Sequence, residues 1–140
     1  MAHKYPNVLV HIVFSTTNRL DSIPAQIELK LWPYLGGIAK NHDIPLLIAG
    51  GTRNHAHLLI ALPSDMTIAK IVQVMKANSS RWISQHGEKF SWQEGYGAFS
   101  VSPGNKNAVR SYIANQAVHH KKHNFDEEFR SMLKMAGMAE

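Results

Sequence analysis

Two pairs of side chains in this 140-residue sequence have the types and spacing for chemistry on a phosphate. The first is His55-Ala56-His57. On a β-strand, residues i and i+2 point to one face, so the two imidazoles project side by side, while Leu58, Ile60 and Leu62 take the opposite face and bury it. Imidazoles so placed can share one divalent cation. The same tripeptide can equally be two surface histidines on a half-exposed strand, and a motif this short leaves both readings open. The second pair is Tyr112 and Gln116. Four residues apart on a helix, they stack on one face, and Val109 and Ile113 turn that face toward protein. An amphipathic helix whose tyrosine merely covers a core edge has the same pattern.

Combined, the pairs specify a reaction. His55, His57 and the Gln116 carbonyl oxygen are three neutral ligands, which leave a cation its full double charge for polarising a phosphoryl oxygen. Tyr112, one turn from a ligand, would stand beside that phosphate. Its phenol, with an ordinary pKa of ~10, needs activation, which a nearby cation supplies by favouring phenolate. Attack would leave a phosphotyrosine and a free hydroxyl on the other fragment. The bond energy is kept, so the step can reverse on a different strand end: chemistry for rejoining, not digestion. His119, His120 and His123 could add ligands or serve as a cationic helix end.

The elements that must position these residues are readable from periodicity. Val8–Ser15 alternates as a strand, with Val8, Val10, Ile12 and Phe14 on one face and His11 on the other. Pro24 can open a helix to Asn41, in which Ile27, Leu31, Leu35 and Ile38 recur at helical spacing. Pro33 inside that pattern predicts a kink or a break. Pro45–Gly51 and His55–Leu62 read as two strands joined by a turn at Gly50–Asn54. Met66–His86 is a helix with Ile68, Ile71, Val72, Met75, Trp82 and Ile83 in one stripe. A loop over Gly87–Gly97 leads to a strand at Ala98–Ser102. Pro103-Gly104-Asn105 starts a helix running to about Lys122, and Phe125–Met135 forms a last one. The order β-α-β-β-α-β predicts an α+β, ferredoxin-like (RRM-like) antiparallel sheet with an added C-terminal tyrosine-bearing helix.

Composition bounds the partners. The length suits a single domain over residues 1–140. The absence of cysteine excludes a disulfide framework and thiolate metal sites. No stretch approaches the roughly 18 apolar residues of a membrane span, and the N-terminus lacks the apolar block of a signal peptide, so a cytoplasmic protein is expected. The net charge is +5. Residues 67–122 hold eight basic side chains against only Glu88 and Glu94, which reads either as solvated helix faces or as a phosphate-binding surface. In the second reading Arg53, Lys70, Lys76, Arg81, Lys106 and Arg110 track phosphates, and Tyr96 stacks on unpaired bases. Trp92 could stack too, but reads better as a hydrophobic seal over its loop.

The chain resembles the HUH nucleases and, within them, the single-tyrosine transposases of the insertion-sequence-200/605 group. The likeness runs through Val10–Thr16 (VHIVFST), His55-Ala56-His57 with its flanking Asn54 and Leu58-Leu59-Ile60, Lys76–Ile83 (KANSSRWI), Trp92–Ser100 (WQEGYGAFS), Tyr112–Gln116 (YIANQ), His119-His120 and Phe125–Phe129 (FDEEF). It implies cleavage and rejoining of single-stranded DNA at the hairpin-flanked ends of a mobile element in a prokaryotic cytoplasm. Tyr112 would be the nucleophile, forming a 5′-phosphotyrosine and releasing a 3′-hydroxyl. His55, His57 and Gln116 would hold Mg²⁺ or Mn²⁺, of which imidazoles suit Mn²⁺ better. The resemblance also implies a homodimer, in which the tyrosine helix of one subunit can complete the other's site. Other readings remain: a non-catalytic single-strand RNA- or DNA-binding module on the same fold, a phosphodiesterase using water in place of Tyr112, and a domesticated, repeat-associated relative. Gly95–Val101 (GYGAFSV) brushes an RNA-binding signature, but Glu94 stands where that signature needs a basic residue.

Overall fold

The computed structural model describes residues 8–116 and 124–135. Four strands form one antiparallel sheet: β1 (Leu9–Ser15), β2 (Leu46–Thr52), β3 (His55–Ala61) and β4 (Gly97–Val101), in the order β2-β3-β1-β4. Four α-helices are found among the described residues: α1 (Glu28–Asn41), α2 (Ile68–Ser84), α3 (Lys106–Ala114) and α4 (Phe125–Met135). The expected ferredoxin-like arrangement is therefore present, with β1 and β3 at its centre.

The period-2 alternation of the central strands gives the sheet two different faces. Val10, Ile12 and Phe14 of β1 and Ala56, Leu58 and Ile60 of β3 join Leu31, Leu35 and Ile38 of α1 and Ile71, Met75 and Ile83 of α2 in the main core. The opposite face carries Leu9 and Leu59, packed against Ile113 of α3. Register places Val13 opposite His57 and Ser15 opposite His55, and His11 opposite Phe99. All of β1 is buried, as a strand covered on both faces must be. Val8, expected to continue the core stripe, lies just before β1 and is exposed.

Local chemistry explains most boundaries. Thr67 caps α2, its side chain accepting the Lys70 amide hydrogen, which satisfies one of the amides a helix start leaves without a partner. The helix expected to open at Pro24 begins instead as a 3₁₀ turn, Ala25–Ile27, that feeds α1 at Glu28. α1 is not broken at Pro33. The carbonyl that Pro33 leaves without a donor belongs to exposed Leu29, and buried Leu31 and Leu35 hold the two sides together. The helix expected to reach Lys122 stops at Ala114, with Asn115 as its C-cap. Its approach to the sheet depends on Gly50: a Cβ there would sit 2.6 Å from the Ile113 carbonyl oxygen. Only glycine lets the end of α3 lie that close to β2.

Candidate active site

β3 presents His55 and His57 on the face covered by α3 and α4, and both are fully buried. α3 brings Tyr112, whose ring meets that of His57 edge-on with centroids 5.7 Å apart. Gln116, just past the end of α3, donates from its Nε2 to the Tyr112 carbonyl oxygen at 3.2 Å and places its Oε1 2.9 Å from His55 Nε2. The two pairs expected from the sequence therefore meet in one place.

α4 adds a residue that the sequence reading missed. Glu128 puts Oε1 3.0 Å from His57 Nε2 and Oε2 3.8 Å from His55 Nε2, and Oε1 also accepts the Tyr112 hydroxyl hydrogen. A signal was present: Phe125, Phe129 and Met132 mark the apolar stripe of α4, and Glu128 falls inside it. A carboxylate on the buried stripe of a helix needs a partner. Here the partners are two imidazoles and a phenol.

The rings are held from behind. His55 Nδ1 lies 2.7 Å from Asn54 Oδ1 and 3.0 Å from Thr52 Oγ1, and Thr52 Oγ1 donates to Asn54 Oδ1 at 2.9 Å. Carbonyl oxygens only accept, and both ring nitrogens of His55 face one: Asn54 Oδ1 at Nδ1 and Gln116 Oε1 at Nε2. His57 Nδ1 lies 2.8 Å from Nε2 of His11, a buried third histidine whose ring stacks on that of His57.

His55, His57 and Glu128 can each offer an atom to one metal ion, all within 4.8 Å of one another. The residues fit a divalent cation on a second count as well. Glu128 Oε2 is buried without a hydrogen-bond partner, a state that folded proteins avoid unless an ion or water completes it. Two imidazoles, a carboxylate and an amide oxygen are a mixed N/O set suited to Mn²⁺ and less to Mg²⁺.

Electrostatics follow burial. Burial would raise the Glu128 carboxyl, but the His57 and Tyr112 donors and the charges of His57 and His55 outweigh it and hold it at about 2. Burial pushes the Tyr112 phenol above its ordinary value, the Glu128 hydrogen bond and charge push it further, and Gln116 opposes them. Burial, then the charge of His57, lower His11 to about 3 against the pull of Glu128, so its ring is neutral.

The expected phosphate contacts separate into two groups. Lys70, Arg81 and Arg110 are exposed, Lys106 is half-buried, and Tyr96 is 44% exposed. Arg53 and Lys76 are engaged within the protein: Arg53 Nε donates to the Ile23 carbonyl at 2.8 Å, and Lys76 Nζ donates to the Gln93 and Gly95 carbonyls. Trp92 is the expected seal, edge-on to Phe14 and Phe90 and donating to Ser79 Oγ at 2.9 Å. His119, His120 and His123 lie outside the described residues. No helix among the described residues is long and apolar enough to cross a membrane.

A four-stranded ferredoxin-like sheet, with two histidines and a carboxylate grouped against a helix-borne phenol, is the frame of a transposase class. A candidate transposase from Deinococcus radiodurans R1 superposes with a TM-score of 0.63 at 21% identity, covering 83% of this chain and 96% of that one. A REP-associated tyrosine transposase, solved bound to a REP hairpin, superposes with a TM-score of 0.64 at 12% identity, covering 86% of this chain and 72% of that one. No protein of curated function matches. Residues 4–116 match the family described as "Transposase IS200 like". The chain belongs to this family, and its function is that of a transposase, a DNA-cleaving enzyme.

Proposed function

We propose that the whole chain, residues 1–140, is one catalytic domain that cuts and rejoins single-stranded DNA at hairpin-flanked element ends, with Tyr112 as nucleophile. The observation that carries this is the hydrogen bond from the Tyr112 hydroxyl to a carboxylate that also faces His55 and His57. The Tyr112 oxygen attacks phosphorus, the bond from phosphorus to the 3′ oxygen breaks, and the products are a 5′-phosphotyrosine and a 3′-hydroxyl. Glu128 is the carboxylate in contact with the phenol and is positioned to accept its proton. The proton that the phenol gives up to Glu128 is the one the leaving 3′ oxygen takes up, so the step needs no other donor. Rejoining runs the same steps backward on another 3′ end.

His55, His57, Glu128 and Gln116 would hold the divalent cation. Bound there, Mg²⁺ or Mn²⁺ supplies Lewis-acid polarisation of the phosphoryl oxygen and lowers the phenol's pKa. His55 and His57 ligate through Nε2, held in orientation by Asn54 and His11. The exposed Lys70, Arg81 and Arg110, with Lys106, contribute phosphate contacts, and Tyr96 a stacking surface. The reaction belongs to the cytoplasm, where the nucleoid lies. We read the active form as a homodimer; Tyr112 beside His57 within one chain supports a helix that serves its own site.

The test is a denaturing gel after incubation with labelled hairpin-bearing single-stranded DNA and Mn²⁺. A covalent protein–DNA adduct that disappears in Tyr112→Phe is the expected result. Cleavage without adduct would assign the chemistry to water, and binding without cleavage to a recognition module. That module would have no use for the partnerless Glu128 Oε2. The substrates include the ends of the element carrying the gene and the repeats near it, which separates a mobile-element enzyme from a domesticated one. A monomeric mass by light scattering would overturn the dimer.

A further inference from the structure

We infer that His11 is a positioning residue for the metal site: its ring nitrogen fixes the tautomer of His57 so that the lone pair of His57 Nε2 faces the cation. This rests on the metal reading above and deepens it. For His57 to ligate through Nε2, its proton must sit on Nδ1, and a proton on Nδ1 needs an acceptor. Among the described residues, the atom within hydrogen-bond distance of it is His11 Nε2, at 2.8 Å. His11 therefore accepts through Nε2 and keeps its own proton on Nδ1. β1 and β3 pair in a register that sets His11 opposite Leu59, two residues from His57 along the same face, so the contact is diagonal across neighbouring strands. The rings stack at 5.0 Å between centroids with 29° between planes, which fixes ring rotation as well as tautomer.

The two ligand histidines are thus oriented by unlike partners. Asn54 Oδ1 and Thr52 Oγ1 serve His55, from the turn beside the ligand and the end of β2. His11 serves His57 from a different strand, so cation affinity is coupled to the pairing of β1 with β3. His11 also lines a cavity of about 640 Å³ with Val109, Tyr112 and Met132, and its ring lies 6.2 Å from that of Tyr112. Loss of the ring nitrogen leaves His57 free to carry its proton on Nε2, where it blocks the ligand lone pair.

The test compares His11→Phe, which keeps a flat ring but has no acceptor, with His11→Gln, which restores an acceptor of different shape. Mn²⁺ affinity is read by titration with detection of free Mn²⁺ by electron paramagnetic resonance. Ring ¹⁵N shifts, with Zn²⁺ as diamagnetic stand-in, read the His57 tautomer. Orientation by His11 predicts a loss of roughly 10- to 100-fold in Mn²⁺ affinity for His11→Phe, a shift of His57 away from the Nδ1–H tautomer, and partial recovery in His11→Gln. A purely structural role gives the reverse order, with Phe tolerated and Gln not, and would overturn the inference. So would a His57 tautomer unchanged in both variants. If the wild-type protein takes up no Mn²⁺, the metal reading fails and this inference with it. If the wild type binds and His11→Phe binds equally, the inference alone fails. Circular dichroism of the metal-free variants shows which are folded, and one folded variant decides the comparison.

Discussion

The hydroxyl of Tyr112 donates to the carboxylate of Glu128, sixteen residues further along the chain, and so ties the proposed nucleophile to the same group that faces both ligand histidines. The contact has a cost for reactivity. An adjacent carboxylate opposes phenolate, and burial opposes it more. Replacing Glu128 by Gln removes the charge but leaves the burial. Tyr112 in Glu128→Gln is therefore expected to titrate lower than in the wild type, yet still above an exposed tyrosine. NMR of ring-labelled tyrosine resolves it from Tyr5, Tyr34 and Tyr96. An unchanged Tyr112 titration would show that the hydrogen bond is absent in solution.

Acid stability of the metal-free protein follows from two depressed values. His11 sits at about 3 against an ordinary 6.5, and Glu128 at about 2 against 4.5. In both cases the unfolded chain binds the proton first, so the contribution is complete above the unfolded value and is lost as pH falls toward the folded one. Loss is expected from pH ~6.5 downward for His11 and from pH ~4.5 downward for Glu128. Between pH ~7.5 and pH ~5 the His11 share is about 2 kcal/mol. Urea melts at about pH 7.5, about pH 5 and about pH 3.5 measure it. His11→Phe should flatten the upper part of this dependence and leave the lower part in place. Equal slopes for the two proteins would contradict a neutral, buried His11.

The sheet was legible because its signals are local. Alternation in Val10–Phe14 and His55–Ile60 sets which side chain faces which way, and strand pairing preserves that assignment. The Tyr112–Gln116 stack was legible for the same reason, as helix geometry alone puts residues four apart together. Glu128 was not, because its role exists only once α4 lies across the sheet, an event of tertiary packing. The same holds for His11, visible as a histidine on the site face but not as the neighbour of His57. At Pro33 the break that a local rule allows is absent, because buried Leu31 and Leu35 hold both sides of it in one helix. Arg53 and Lys76 show a further limit. Composition counts them as surface cations, while the fold spends their hydrogen bonds on carbonyls of the loops beside the site.

Gly50 sets the reach of α3. A methyl group there would lie 2.6 Å from the Ile113 carbonyl oxygen and 3.1 Å from its Cγ2, and neither backbone can yield without moving the helix end. Gly50→Ala is expected to destabilise by about 1–3 kcal/mol, as overpacking does. It should also weaken Mn²⁺ binding, because Tyr112 and Gln116 flank Ile113 and would be displaced with it. Thermal melts and Mn²⁺ titration check the two effects. Gly36→Ala is the control, since a Cβ at Gly36 meets nothing within 4 Å. Normal stability and affinity in Gly50→Ala would mean that α3 does not pack on β2 as described.

Lys76 distinguishes a loop staple from a phosphate contact. Its ammonium donates to the Gln93 carbonyl at 2.9 Å and the Gly95 carbonyl at 2.6 Å and stands 5.5 Å from the centre of the Phe14 ring; burial lowers its pKa. Exposed Arg110, two residues before Tyr112, has no such internal engagement among the described contacts. Lys76→Met keeps the apolar stem and removes both hydrogen bonds, so a loss of about 1–3 kcal/mol is expected, with the loop before β4 loosened. The salt dependence of single-stranded DNA binding should stay unchanged in Lys76→Met, because no phosphate contact is lost. In Arg110→Gln the stability should hold, while the slope of log affinity against log salt falls by about 1. Fluorescence anisotropy of labelled DNA across a salt series reads both slopes. If Lys76→Met flattens its slope as Arg110→Gln does, the ammonium leaves its carbonyls for the DNA, and the staple is a feature of the free protein alone.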